Sequence, residues 1–150
     1  MPIRGSEEVR KKLAALFKKI QGPMTEKTLT EVLIIGGGHA DSMTPVDLGT
    51  LLNSRFREIK RDGNRWVARY GYTASYAAAV HDLSGKLRGQ PRADFGVTRE
   101  GQGFGGGSKT GNYWDGPLGP GTAEPQWLVK GFEKEGLAEI KAAIKRNMTL

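Results

Sequence analysis

The sequence predicts an α+β fold: an antiparallel sheet built on a central hairpin, packed against long N-terminal and C-terminal helices, with a long Gly-rich loop or arm. Three observations carry the prediction. Residues 53 to 72 hold two strand-like runs about Asp62-Gly63, a dipeptide that favours a tight hairpin turn. Both ends of the chain show apolar residues at helical spacing. Between hairpin and last helix, residues 84 to 121 collect more than half of the 22 glycines and few aliphatic side chains.

In chain order, Ser6 can cap a helix running to about Ile20, with Val9, Leu13, Leu16, Phe17 and Ile20 on one stripe against Arg10, Lys11, Lys12 and Lys18. Such a stripe suits packing on the domain or on a neighbouring subunit better than a membrane surface. Gly22-Pro23 ends this helix, and Thr25 can cap a second one carrying Leu29, Val32, Leu33 and Ile35. Gly36-Gly37-Gly38 opposes helix at about 1 kcal/mol per glycine. Three glycines also permit another backbone to pack closely.

Pro45 lacks an N–H and pushes Thr44 out of the α region, so an arriving helix must end there. Asp47 can then cap a short turn by accepting N–H groups near Gly49 and Thr50, which would orient Leu51 and Leu52 toward a core. The second strand run, Arg65 to Tyr72, puts Trp66, Ala68, Tyr70 and Tyr72 on one face. The first run, Asn53 to Arg61, alternates less cleanly, since Phe56 and Ile59 fall on opposite faces, so its register is open or it carries a bulge. From Ser75 the alanines, with Tyr76 and Val80 four residues apart, favour a short helix closing over the hairpin. The Gly-rich segment, residues 84 to 121, reads as an arm that is also expected to extend the sheet by a strand, and its Tyr113 and Trp114 are candidate interface anchors. A last helix is expected from Thr122 or Glu124 to about Asn147, with Trp127, Leu128, Phe132, Leu137, Ile140 and Ile144 apolar.

A length of 150 residues, 37% hydrophobic and 26% charged, suits a single globular domain. Its parts are an N-terminal helix (1–23), a helix, hairpin and short helix (24–83), the arm (84–121) and the C-terminal helix (122–150). No cysteine is present, which removes disulfides and thiolate metal sites. No secretory signal or membrane-length apolar run is visible. Against that background the Asn147-Met148-Thr149 acceptor pattern carries no weight. A formal net charge of +7 fits contact with a polyanion, though the cations are spread among acids.

Taken together, Pro-Val-Asp-x-Gly-x-Leu-x-x-Ser at Pro45 to Ser54, the hairpin, and Gly-Tyr-Thr-x-x-Tyr-Ala-x-x-Val-His at Gly71 to His81 resemble the neck or tail-completion family of minor structural proteins of tailed bacteriophages. Pro45, Asp47, Gly49, Leu51, Ser54, Tyr76 and Val80 carry the match. Pro125-Gln126-Trp127-Leu128 is similar to the opening of that family's last helix, so the likeness extends over most of residues 24 to 148. Leu48 stands where the family often has Thr or Ser, and the Gly-rich segment is longer than its minimal pattern. The resemblance implies one long helix reaching Pro45. It also implies a virion protein, made in the host cytoplasm, that forms a ring at the head–tail junction and lets DNA pass. A six-fold ring is expected first and a twelve-fold ring second. The implied neighbours are head-completion, connector or tail-tube proteins, with non-specific DNA contact in the lumen and no membrane. Lys86, Arg88 and Arg92 are the candidate DNA-facing residues.

The search for chemistry finds little. Gly105 to Thr110 has the glycines and lysine of a phosphate loop, but Ser108 separates them and no strand precedes. His81-Asp82 would need further ligands to hold a metal, and the other histidine is His39. A polar residue closing a helix is the better reading of His81. No Ser or Cys nucleophile sits in a recognisable motif, so no catalytic residue, cofactor or metal is expected. The competing reading is a small basic nucleic-acid-binding protein acting outside a particle. An enzyme with a site assembled between subunits comes third.

Overall fold

A computed structural model describes residues 6–47, 49–91 and 112–149. Helix α1 (Ser6–Lys19) joins α2 (Thr25–Ser42) through a wide turn at Ile20–Met24, so that the two form one kinked rod. The kink is at Gly22, whose backbone leaves the helical region (φ −120°, ψ −106°) next to Pro23. Helix α2 runs through all three glycines and stops at Ser42, three residues before Pro45. A single turn α3 (Thr50–Asn53), strands β1 (Arg55–Asp62) and β2 (Arg65–Tyr72), and a short α4 (Ala77–His81) follow. The chain ends in α5 (Trp127–Lys130), a wide helical turn at Gly131–Glu135, and α6 (Leu137–Asn147).

The hairpin pairs without interruption from Arg55 opposite Tyr72 to Asp62 opposite Arg65, leaving Gly63 and Asn64 as the loop. Gly63 takes a left-handed backbone (φ +60°), as such a two-residue turn requires. The suspected bulge is therefore absent. The register puts Arg55, Arg57, Ile59 and Arg61 on the same face as Tyr72, Tyr70, Ala68 and Trp66, because directly opposed residues share a face.

Helix α2 is the centre of the packing. Gly36 and Gly37 are buried, and the rings of Phe132 and Tyr70 lie where their Cβ atoms would be, at 2.3 Å in each case. Gly131 lets the C-terminal segment approach in the same way: a Cβ there would stand 2.5 Å from the backbone nitrogen of Ala40. Gly36 and Gly37 are thus required because two rings occupy the space, whereas a Cβ at Gly38 would meet nothing among the described residues. Along its length α2 is tied to the C-terminal helices by His39 with Glu139 (2.9 Å) and by Glu31 with Arg146 and Asn147.

At one end of α2 lies the core, formed by Ala40, Met43, Leu51, Ala77, Trp114, Ala123 and Trp127. Trp127 is fully enclosed, with Tyr72 and His81 presenting ring edges to it at centroid distances of 5.9 and 4.9 Å.

Four expectations change. Among the described residues the sheet has two strands only, and residues 84–121 contribute isolated bridges, Pro91 with Asn112 and Gly116 with Gly119, instead of further strands. The last helix is not continuous from residue 122 or 124. Gln126 has a left-handed backbone (φ +55°), helix begins at Trp127, and the turn at Gly131–Glu135 widens it where Gly131 meets α2. Among the described residues α2 makes the main helix contact with the hairpin; the C-terminal segment stacks on α2 and reaches the sheet through Phe132 and Trp127.

The fourth change concerns the arm. Its two flanks are stitched together and into the body: Gly89 N–H to Tyr113 O, Tyr113 N–H to Gln90 O, Val46 N–H to Asp115 O and Ala123 N–H to Trp114 O. The Asp115 carboxylate accepts from the N–H groups of Asn112 and Gly121. Residues 92–111, with the glycine and lysine motif at 105–110, lie outside the described residues.

Candidate functional site

The residues singled out from the sequence divide by where the fold puts them. Leu51, only 5% exposed, enters the core as expected, and Val80 packs against it. Ser54 closes α3, bonding its hydroxyl to Leu51 O, while its own carbonyl accepts from the amide and hydroxyl of Thr73. It therefore fixes the start of β1 against the end of β2. The cap position of α3 falls on Gly49, in a left-handed conformation (φ +80°), and not on Asp47, which is exposed beside the half-buried Pro45. The backbone turn itself starts the helix. Tyr76 remains 44% exposed.

Trp114 is a core residue of its own chain, 8% exposed, so it is not an anchor held out to a neighbour. Its ring is held inside even though its backbone is left-handed (φ +66°), a conformation that tertiary contacts must impose on a bulky residue. Tyr113 lies beside it, half-buried. Arg88 donates through Nε to Gly121 O and faces Glu124 at 3.5 Å, so this guanidinium links the two flanks of the arm instead of projecting outward. Glu124 also accepts from Lys130 at 2.7 Å, and that bond holds its carboxyl below the usual range. Lys86 is exposed nearby, and Arg92 lies outside the described residues.

The structure assembles one polar cluster that the sequence did not single out. Asp41, at the end of α2, accepts the hydroxyls of both Tyr70 and Tyr72 on the same oxygen, each at 2.8 Å, and its other oxygen meets Arg55 Nε at 3.3 Å. Thr44 bonds Ala40 O and lies 2.9 Å from the Tyr72 hydroxyl. Burial, chiefly, and then the bond to Asp41 raise the Tyr70 phenol above its ordinary range. Burial is likewise the main cause for Tyr72, with Asp41 adding to it and Thr44 opposing. Both phenols therefore remain protonated donors near neutral pH. This is chemistry for fixing the hairpin on α2, not for nucleophilic attack. The Tyr-x-Tyr spacing was legible as one face of a strand; nothing in the sequence named Asp41 as their common acceptor.

Beside this cluster a cleft of about 350 Å³ opens between α2 and β1, floored by Leu33 and Gly37 and bordered by Arg55 and Arg57. Arg57 has no carboxylate partner among the described residues. At the hairpin tip the Arg61 guanidinium stands 6.0 Å from the Trp66 ring centre, and Trp66 Nε1 donates to Gln21 O. That bond brings the last turn of α1, with exposed Lys18 and Lys19, to the end of the hairpin.

His81 bonds Asp82 at 3.0 Å and stacks edge-on with Trp127, while His81 Nε2 and Trp127 Nε1 are buried with no hydrogen-bond partner among the described residues. Among the described residues no three His, Cys, Asp or Glu side chains converge as metal ligands, and no helix is long and apolar enough to cross a membrane. Comparison with protein-family models, curated proteins and solved structures returns no match.

Proposed function

We propose that this chain is a structural virion protein of a phage head–tail junction, acting as a subunit of a homo-oligomeric ring that completes the neck or tail end. The observation that carries this reading is the meeting of its three resemblance-bearing segments in one unit. Leu51 from the Pro45–Ser54 corner, Ala77 and Val80 from the Gly71–His81 segment, and Trp127 from the last segment share a single core, although they are spread over almost eighty residues of sequence. The same unit leaves two features uncovered that ring assembly would use. The apolar stripe of α1 (Val9, Leu13, Phe17) is exposed, and among the described residues no further strand pairs with either edge of the hairpin.

In this reading the protein has no catalytic role and no cofactor. Its work is subunit contact, a passage for DNA, and attachment to head-completion, connector or tail-tube neighbours. Six subunits are favoured over twelve. Native mass measurement with electron microscopy of the purified chain is the test: closed rings of one defined copy number are expected, and a strictly monomeric protein at high micromolar concentration refutes the reading. The basic strip beside the hairpin favours the second reading, a small nucleic-acid-binding protein outside any particle, and a monomer that binds DNA tightly would establish it.

A further inference from the structure

The hairpin holds Arg55, Arg57, Lys60, Arg61, Arg65 and Arg69 against Glu58 and Asp62, and its acids are not shared evenly between its faces. On the face away from α2, Glu58 lies near both Lys60 (3.7 Å) and Arg69 (3.8 Å), and Asp62 lies near Arg65 (3.9 Å). On the other face neither strand supplies a carboxylate. Arg55 is met there by Asp41 of α2, while Arg57 and Arg61 have no acidic partner among the described residues. Trp66 sits between Arg61 and the backbone of Gln21, which adds Lys18 and Lys19 to the same end. Two basic stretches some 45 residues apart in sequence are thereby joined into one strip, and among the described residues no carboxylate pairs with Arg57 or Arg61 in it.

We propose that this strip, Arg57, Arg61, Lys18 and Lys19 about Trp66, is the surface on which the chain contacts the phosphate backbone of double-stranded DNA. The choice of DNA among polyanions rests on the head–tail reading above. The strip replaces Lys86, Arg88 and Arg92 as the DNA-facing group, since Arg88 is engaged by Gly121 and Glu124. Guanidinium and ammonium groups suit phosphate oxygens, and Arg61, whose Nε donates to Gly63 O, keeps its terminal N–H groups for them.

The test is binding of a fluorescein-labelled DNA duplex of about 20 base pairs by the full chain across a salt series, with oligomer mass recorded in the same samples. Each phosphate contact contributes about −0.9 to the slope of log affinity against log salt, so Arg57→Gln with Arg61→Gln should flatten the slope by about 1.8 and weaken binding roughly tenfold or more. Lys18→Gln with Lys19→Gln, both exposed on a helix that contributes no residue to the core, should act in the same direction. The charge-matched pair Lys141→Gln with Lys145→Gln, on the exposed side of α6, should leave the slope unchanged. Equal losses from all three pairs would show that only net charge matters and overturn the proposal. So would full binding by the hairpin pair accompanied by aggregation, because the arginines would then serve to keep the open strand edges apart. Monomers that bind through the strip would refute the ring and leave this proposal standing.

Discussion

Helices α1 and α2 are two halves of one kinked rod, and they invert the ordinary relation between helical sequence and burial. The first has good helix formers and a clean apolar stripe, yet Val9, Leu13 and Phe17 are 56, 46 and 57% exposed. The second carries three consecutive glycines, each costing about 1 kcal/mol of helix propensity. It nonetheless organises the molecule, because Phe132 and Tyr70 fill the space left by Gly36 and Gly37, and Gly131 lets the C-terminal segment close on Ala40. An amphipathic pattern states that a face needs cover. It does not state that the same chain provides it.

The strongest way to break this comparison is to attack what α2 and its neighbours enclose. Trp127→Ala should cost about 3–5 kcal/mol, since the ring is wholly enclosed, and urea denaturation would measure it. A loss under about 1 kcal/mol would move the centre of the fold elsewhere. Gly131→Ala is sharper because two effects predict opposite signs. Helix propensity alone favours alanine by about 1 kcal/mol, whereas a Cβ 2.5 Å from the Ala40 nitrogen forces the segments apart at roughly 1–3 kcal/mol. Destabilisation is expected, and a rise in melting temperature would overturn the close approach.

Asp41→Ala should cost on the order of 1–3 kcal/mol by leaving two tyrosine hydroxyls without their acceptor. Asp41→Asn, which keeps an acceptor oxygen, should cost less. The same tyrosines give α2 a signature in alkali. Their pKa values are raised on folding, so their contribution is intact below the unfolded value near pH 10 and is lost as pH rises above it. Ultraviolet titration should show Tyr70 and Tyr72 ionising only as the chain unfolds, and ordinary titration of all four tyrosines would refute the network. The smallest effect belongs to α1. Phe17→Ser should shift stability by less than about 0.5 kcal/mol in the isolated chain. In an assembled ring it should weaken subunit contact, which sedimentation at graded concentration would register.

The hairpin was legible because Asp62-Gly63 and the alternation from Trp66 to Tyr72 are local signals, and the end of α2 because Pro45 acts on its immediate neighbours. The candidate site was not. Asp41 carries no local signal, and its role arises from a strand that returns some thirty positions later. Trp114 was misread for a related reason. Glycine-rich surroundings imply low apolar content, but they say nothing of a ring that the Asp115 and Ala123 hydrogen bonds fold inward.

The sequence by itself determined the α+β class, the position of the turn, the stop before Pro45 and the helical character of both ends, since each depends on interactions within a few residues. Packing between distant segments settles which face of the rod is covered, that Gly36 and Gly37 are docking points for two rings and not a break, and that the turn after Lys18 and Lys19 is tied to Trp66 at the hairpin tip. These depend on which distant segments meet, and that is set by the summed packing of the whole chain and by no stretch of it alone.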